Sequence, residues 1–265
     1  MLTAIIQARM GSYRFPGKVM EEIKGKPLLF YVIKQTLSSK FINRVIISTS
    51  VAPEDKIIID FCKENEIDYY RGSVNDVLDR FYGCAKKFSC DPIIRISADS
   101  PLIDPNVIDR VLKKFLDNSY DYVSNNVEKN KGIWEESTCN FPLGTVIEVT
   151  TFKALEIAWK HSDNSFEREH VFPYIQSHPE LFNISNIKLN KNLSNIRITV
   201  DKKNDLKFVR EIFKRISKKN KFITIQDIEK IITKEPLLLE INKDGHITNQ
   251  YKKFLLMKEQ KKNNV

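Results

Sequence analysis

The sequence predicts an α/β fold: three layers, with a mostly parallel, Rossmann-like sheet between helices and a small covering insertion. Three observations carry that prediction. Short β-rich apolar runs alternate with segments of helical period. Prolines stand where helices should begin. The first apolar run passes straight into a loop rich in glycine and positive charge.

The runs come at residues 2–6, 44–49, 67–70, 92–98 and 120–125. Their isoleucine, valine, threonine and tyrosine suit a pleated surface buried on both faces. Between them, residues 27–38 place Leu28, Leu29, Val32, Ile33, Thr36 and Leu37 on one helical face. Residues 53–65 and 74–88 behave alike, and residues 106–118 align Val107, Ile108, Val111, Leu112 and Phe115. Pro27, Pro53 and Pro105 fall near first turns, where a missing N–H leaves nothing unpaired.

After residue 125 the rhythm changes. Residues 128–140, with Trp134 and Thr138, are polar and predict an irregular loop. Residues 145–151 and 182–189 predict strands bracketing helices at 152–162 and 166–177. Residues 195–201 predict a further strand, followed by a helix through Leu206, Val209, Ile212, Phe213 and Ile216. We therefore expect one domain over residues 1–235, with 126–195 inserted over the site, and a weakly patterned tail over 236–265 that frays at its end.

Composition narrows the class. At 265 residues and 42% hydrophobic content, the chain can bury a substantial core. It has no apolar run long enough to span a membrane and no secretion-type leader, which predicts a cytoplasmic protein. Cys62, Cys84, Cys90 and Cys139 show no CxxC spacing and read as reduced thiols. His161, His170 and His178 lack a partner set for zinc. The net charge of +9 sits largely in lysine pairs such as Lys202-Lys203 and Lys252-Lys253. No basic stripe interleaved with aromatics appears, so no nucleic-acid partner is expected.

The chemistry is concentrated in the first loop, Arg9-Met10-Gly11-Ser12-Tyr13-Arg14-Phe15-Pro16-Gly17-Lys18. Glycines let backbone approach a ligand closely, and Arg and Lys neutralise phosphate oxygens as a fork and a point charge. Such a loop equally suits a basic surface turn. It is neither a Walker A loop, since Val19 follows Gly17-Lys18, nor a dinucleotide fingerprint, since Gly11 lacks its glycine partners. In a parallel sheet, however, ligands bind beyond the carboxyl ends of the strands, where this loop begins. Two further carboxylates leave strand ends: Asp99 after residues 93–98 and Asp201 after residues 196–200. Each suits Mg²⁺, which takes hard oxygen ligands, and each equally suits a cap or a turn. Asp205 reads as a helix cap and Asp104 as a turn residue before Pro105.

The stretch Gln7-Ala8-Arg9-Met10-Gly11-Ser12, with Gly17-Lys18, resembles the signature of the cytidylyltransferases that activate sugar acids as CMP derivatives. That family includes the CMP-Kdo and CMP-sialate synthetases, and the segment is most similar to its spore-coat-polysaccharide branch. Tyr13 stands where Thr is common and Phe15 where Leu is common, which removes no charge and no glycine. The resemblance implies a GT-A-like nucleotidyltransferase that moves CMP from CTP to an acidic sugar and releases pyrophosphate. It implies nucleotide contacts from Ala8, Arg9, Met10, Gly11, Ser12, Arg14, Lys18, Arg71 and Ser73. Met10, Gly11 and Ser12 would offer their N–H groups to phosphates. Asp99 and Asp201 would hold Mg²⁺, and Arg9 and Lys18 would join them in catalysis.

Residues 140–148 and 167–171 resemble the family's sugar-side segments, implying acceptor contacts from Glu148, Arg168, Glu169 and His170. From the residues alone, Arg71 equally suits pairing with Asp76 or Asp79, and Arg168 and Glu169 suit pairing with each other. The family is often dimeric, and Phe166, Val171, Phe172 and Ile175 suit an interface or a core. Three alternatives stay open: another nucleotide or a sugar phosphate as substrate, a nucleotide-sugar glycosyltransferase, and a scaffold without chemistry. The glycosyltransferases commonly carry an Asp-x-Asp motif, which this sequence lacks.

Overall fold

A computed structural model describes residues 2–126, 140–216 and 221–243 of the chain. In chain order its strands are β1 (Leu2–Gln7), β2 (Glu22–Ile23), β3 (Lys26–Pro27), β4 (Ile42–Ser50), β5 (Asp68–Gly72), β6 (Ile93–Ser97), β7 (Tyr122–Ser124), β8 (Glu148–Thr150) and β9 (Ile184–Asn186). Seven form one sheet in the order β5-β4-β1-β6-β8-β7-β9, and β2 with β3 makes a small ribbon. β1, β4, β5 and β6 run parallel, β8 runs against both β6 and β7, and β7 is parallel to β9. The sheet is thus mostly parallel, as the alternation of strands and helices predicts.

Burial on both faces explains why β1 reads as an unbroken apolar run. Ala4 and Ile6 join one core cluster, with side chains from α1 (Leu28–Leu37), α2 (Lys56–Glu64), α4 (Pro105–Leu116), α8 (Lys203–Arg215) and α9 (Ile225–Lys234). Ile5 joins the other, with α3 (Val77–Lys87), α5 (Phe152–His161) and α7 (Pro173–Ser177). On α4, Val107, Ile108, Val111, Leu112 and Phe115 are all buried. Each contributes roughly 1.5–3 kcal/mol by leaving water. Asp104 is more than a turn residue. One of its oxygens caps α4 at the Asn106 N–H (2.8 Å), and the other accepts the Ile225 N–H (2.8 Å), tying α9 to α4.

The structure corrects several local expectations. The single helix expected over 166–177 is two, α6 (Ser165–His170) and α7, broken at Val171 (φ 77°). Pro173 cannot continue the first because it lacks an N–H and its ring meets the preceding turn. Residues 53–65 open as a 3₁₀ turn at Pro53–Asp55 before α2. The segment 195–201 is not a strand: among the described residues it makes one isolated β-bridge, Leu143 with Arg197. β8 and β9 place part of the 126–195 segment inside the main sheet. Beyond residue 235, Pro236–Ile241 forms a 3₁₀ turn with Leu238 buried. Val171, Phe172 and Ile175 are buried within this chain, so their apolar character needs no partner to explain it. Cys62, Cys84 and Cys90 are free and buried. Cys139, most of the polar loop over 128–140, and the chain end beyond residue 243 lie outside the described residues.

Candidate active site

The first loop leaves β1 at the carboxyl edge of the sheet, and a residue the sequence reading missed holds it there. Asp55, buried in the 3₁₀ turn after β4, accepts the Met10 N–H (2.7 Å), the Thr49 hydroxyl (3.1 Å), and both the N–H (3.0 Å) and hydroxyl (2.5 Å) of Ser50. The Met10 carbonyl accepts the N–H groups of Ser12 (2.8 Å) and Gly17 (2.9 Å). This corrects the expectation that Met10, Gly11 and Ser12 all offer amides to a ligand: two of the three are consumed in shaping the loop. Gly17 sits at φ 75°, which its missing side chain permits. Asp55→Ala strands four donors, and the expected loss of stability is about 3 kcal/mol by thermal melting. An unchanged melting temperature would remove Asp55 as the loop's anchor.

Lys18, in the 3₁₀ turn Lys18–Met20, reaches the centre of the site. Its ammonium donates to Asp99 Oδ2 (2.7 Å) and Asp201 Oδ1 (2.9 Å), and the Arg14 guanidinium pairs with Asp201 Oδ1 at 2.7 Å. Burial acts to lower the Lys18 pKa, but the two carboxylates outweigh it and raise the value above its ordinary level. Burial acts to raise Asp201, yet Lys18, Arg14 and Arg197 hold its carboxyl down at about 2. Four of the residues singled out from sequence therefore meet in one cluster.

What brings Asp201 to Asp99 is the segment before it, through backbone hydrogen bonds. The Leu143 carbonyl accepts the Ile198 N–H at 2.7 Å, and the Asp99 carbonyl accepts the Val200 N–H at 2.9 Å. Gly144 makes that approach possible. It has φ 102°, and a Cβ on it would stand 2.4 Å from the Thr199 nitrogen.

The remaining candidates divide. Arg9 lies 3.8 Å from Glu169 of α6, and Ala8 is buried with its N–H on the Ser48 carbonyl (3.1 Å). Arg71 pairs with neither Asp76 nor Asp79; it donates to the carbonyls of Ser50 (3.3 Å) and Val51 (2.9 Å). The Ser73 hydroxyl accepts the Asp76 N–H at 3.0 Å. Arg168 pairs with Asp76 across the fold and donates to the Trp159 carbonyl (2.7 Å), so Arg168 and Glu169 do not pair with each other.

Glu148 is buried, and its oxygens are taken by Arg95 and by the Tyr122 hydroxyl (2.7 Å). Arg95, which the sequence reading missed, is thereby turned toward Gln7, whose side-chain oxygen lies 3.3 Å from Nη2. The His170 ring rests on Phe166 at 4.4 Å between centroids. Desolvation on its packed side lowers its pKa, with Glu169 opposing and Arg95 adding to the fall. Below the 72–73 turn, Arg80 is fully buried with Nη1 on the Ser73 carbonyl (2.5 Å), while Nε and Nη2 have no partner among the described residues. Burial, and then the charge of Arg9, pull its guanidinium down to about 10.

The sequence model of the cytidylyltransferases matches residues 3–250, nearly the whole chain. The chain belongs to the cytidylyltransferase family. It is therefore a nucleotidyltransferase. Relatives include an uncharacterized protein of Methanocaldococcus jannaschii, 35% identical over 91% of this chain and 94% of its own. The spore coat polysaccharide biosynthesis protein SpsF of Bacillus subtilis is 29% identical over 80% of this chain and 85% of its own. Among solved structures, a cytidylyltransferase from Leptospira borgpetersenii superposes with a TM-score of 0.81 at 28% identity. That match covers 90% of this chain and 96% of the other.

Proposed function

We propose that this cytidylyltransferase transfers CMP from CTP to an acidic sugar, with Mg²⁺ and with release of pyrophosphate, in the cytoplasmic stage of surface polysaccharide or glycoconjugate assembly. The observation that carries the reading is the Lys18 ammonium held between Asp99 and Asp201, with Arg14 alongside. A site built for a triphosphate needs that combination: fixed cations for the phosphates and paired carboxylates for a cation that travels with them.

The donor set fits Mg²⁺. Two carboxylates face one cation, and among the described residues no group of three or more His, Cys, Asp or Glu offers a closed cage. Mg²⁺ commonly binds through one or two carboxylates and completes its shell with water and substrate phosphates. Asp99 and Asp201 would hold it, and the ion would supply Lewis-acid charge at the α-phosphate. Lys18 would exchange its carboxylates for phosphate oxygens, joined by Arg14 and Arg9. The Gly11 amide would serve the same phosphates, with Ala8, Met10 and Ser12 forming the loop wall. Arg71 and Ser73 would line the nucleotide side.

On the acceptor side, Arg168, Glu169 and His170 of α6 would meet the sugar, and Glu169 lies beside the loop through its contact with Arg9. Glu148 would act on the acceptor through Arg95, since its own oxygens are occupied. The sugar oxygen would form the new bond to the α-phosphorus as the bond to pyrophosphate breaks. The protein's part is alignment and charge neutralisation.

The test is pyrophosphate release from CTP, ATP, GTP and UTP with a panel of sugar acids, paired with thermal stabilisation by each nucleotide. CTP with Mg²⁺ should stabilise selectively, by about 2.7 kcal/mol at a hundredfold excess over its Kd, and should support release with one acid. Equal stabilisation by all four nucleotides, or release from none, would overturn the assignment.

A further inference from the structure

Among the described residues beyond 235, Asn242 reaches the two groups that hold Asp201. Asn242 is buried directly after the 3₁₀ turn Pro236–Ile241. Its amide donates to Asp205 Oδ1 (3.1 Å) and to the Arg197 carbonyl (3.1 Å). Both partners hold Asp201. Asp205 Oδ2 accepts the N–H groups of Asp201 (2.9 Å) and Lys202 (2.9 Å). The Arg197 guanidinium donates to Asp201 Oδ2 (2.5 Å) and to Asp205 Oδ1 (3.2 Å). Asp201 is thus gripped on Oδ2 from within the fold, while Oδ1 meets Lys18 and Arg14.

We propose that Asn242 is a positioning residue of the active site, setting the orientation of the Asp201 carboxylate through the Arg197–Asp205 pair. The inference rests on the reading above that Asp201 serves the cation travelling with CTP. Its physical basis is the geometry of a carboxylate. Locking one oxygen leaves the other to point in a single direction, and a ligand's value depends on that direction being fixed before substrate arrives. Arg197 can lock Oδ2 only if its own plane is set. Asp205 sets that plane with an oxygen it also shares with Asn242. Without the amide, Asp205 Oδ1 loses one of its two donors and the Arg197 backbone loses its tie to the C-terminal turn. The capping of helix α8 by Asp205 does not involve the amide, so the variants are expected to fold.

The experiment titrates Mn²⁺ against the full-length protein in the presence of CTP, following the free-ion signal by electron paramagnetic resonance, alongside thermal melting. Asn242→Ala should raise the Mn²⁺ concentration for half occupancy about tenfold, the scale seen when outer-shell partners of metal ligands are lost. Asn242→Asp, which keeps the shape but turns donors into acceptors facing Asp205, should do the same. Neither should add to the effect of Asp201→Asn. Leu238→Ala disturbs the packing of the same turn without touching the amide; it should lower the melting temperature and leave the midpoint at the wild-type value.

If Asp201→Asn shifts the midpoint and both Asn242 variants leave it unchanged, the inference is overturned while the reading of Asp201 stands. If Asp201→Asn itself leaves the midpoint unchanged, the reading of Asp201 fails and the inference with it.

Discussion

Asp201→Asn is expected to slow pyrophosphate release from CTP by about a thousandfold, roughly 4 kcal/mol of barrier, while leaving the protein folded. The substitution preserves shape, and the amide oxygen can still accept from Arg197 or from Lys18. What it removes is charge. Asp201 carries the counter-charge to Lys18, Arg14 and Arg197 at 2.9, 2.7 and 2.5 Å. Neutralising it leaves Lys18 only Asp99 and Arg197 only Asp205, and takes away half of the proposed ion-holding pair. The rest of the core is untouched, so circular dichroism should not change. Single-turnover kinetics would separate the chemical step from binding. A rate within a few-fold of wild type would show that the carboxylate does nothing in the reaction that the amide cannot do.

Gly144→Ala is expected to cost about a hundredfold in rate without altering any charged group. The new methyl would lie 2.4 Å from the Thr199 nitrogen and 2.8 Å from its Cα, and the backbone there has φ 102°. The obstacle is main chain, so no rotamer relieves it. The 196–201 segment must move away from Leu143, and with it goes the Val200 hydrogen bond that sets Asp201 beside Asp99. A displacement of about 1 Å at a reacting centre can cost a hundredfold in rate. The strain itself should lower stability by roughly 3 kcal/mol. Activity of the folded fraction, compared with the melting temperature, checks both effects. Wild-type values of both would mean that the segment tolerates the shift.

These two residues show how differently parts of the site were legible. Asp201 could be marked from sequence because a carboxylate after an apolar run is a local pattern. Gly144 could not: its role is to let a segment 55 residues later come close, and nothing in its neighbourhood records that. The strand expected over 195–201 failed for the same reason. Its β-branched residues favour extension, but among the described residues the segment turns at 195, bends at 199 and 201, and makes one bridge instead of a sheet partner. The break inside residues 166–177 was legible in principle, since Pro173 was there to be read.

Glu148 illustrates the opposite case: its residue type was legible and its surroundings were not. A glutamate in a family-like segment reads as a ligand contact, yet the fold buries it and gives its oxygens to Arg95 and Tyr122. Asp55 escaped notice because its partner Met10 is 45 residues away and its own turn looks like an ordinary helix start.

The sequence by itself determined the alternation of strands and helices, the cationic loop at the end of β1, and the inventory of charged groups available for chemistry. Each follows from local period, propensity and residue type, which act over a few neighbouring positions. The tertiary structure alone decided that Lys18 sits between Asp99 and Asp201, which are 81 and 183 residues away from it. It alone tied Asp201 to Asn242 through Arg197 and Asp205. Those meetings depend on sheet order and on which backbones can approach. Those are properties of the packed chain, and no short stretch of sequence contains them.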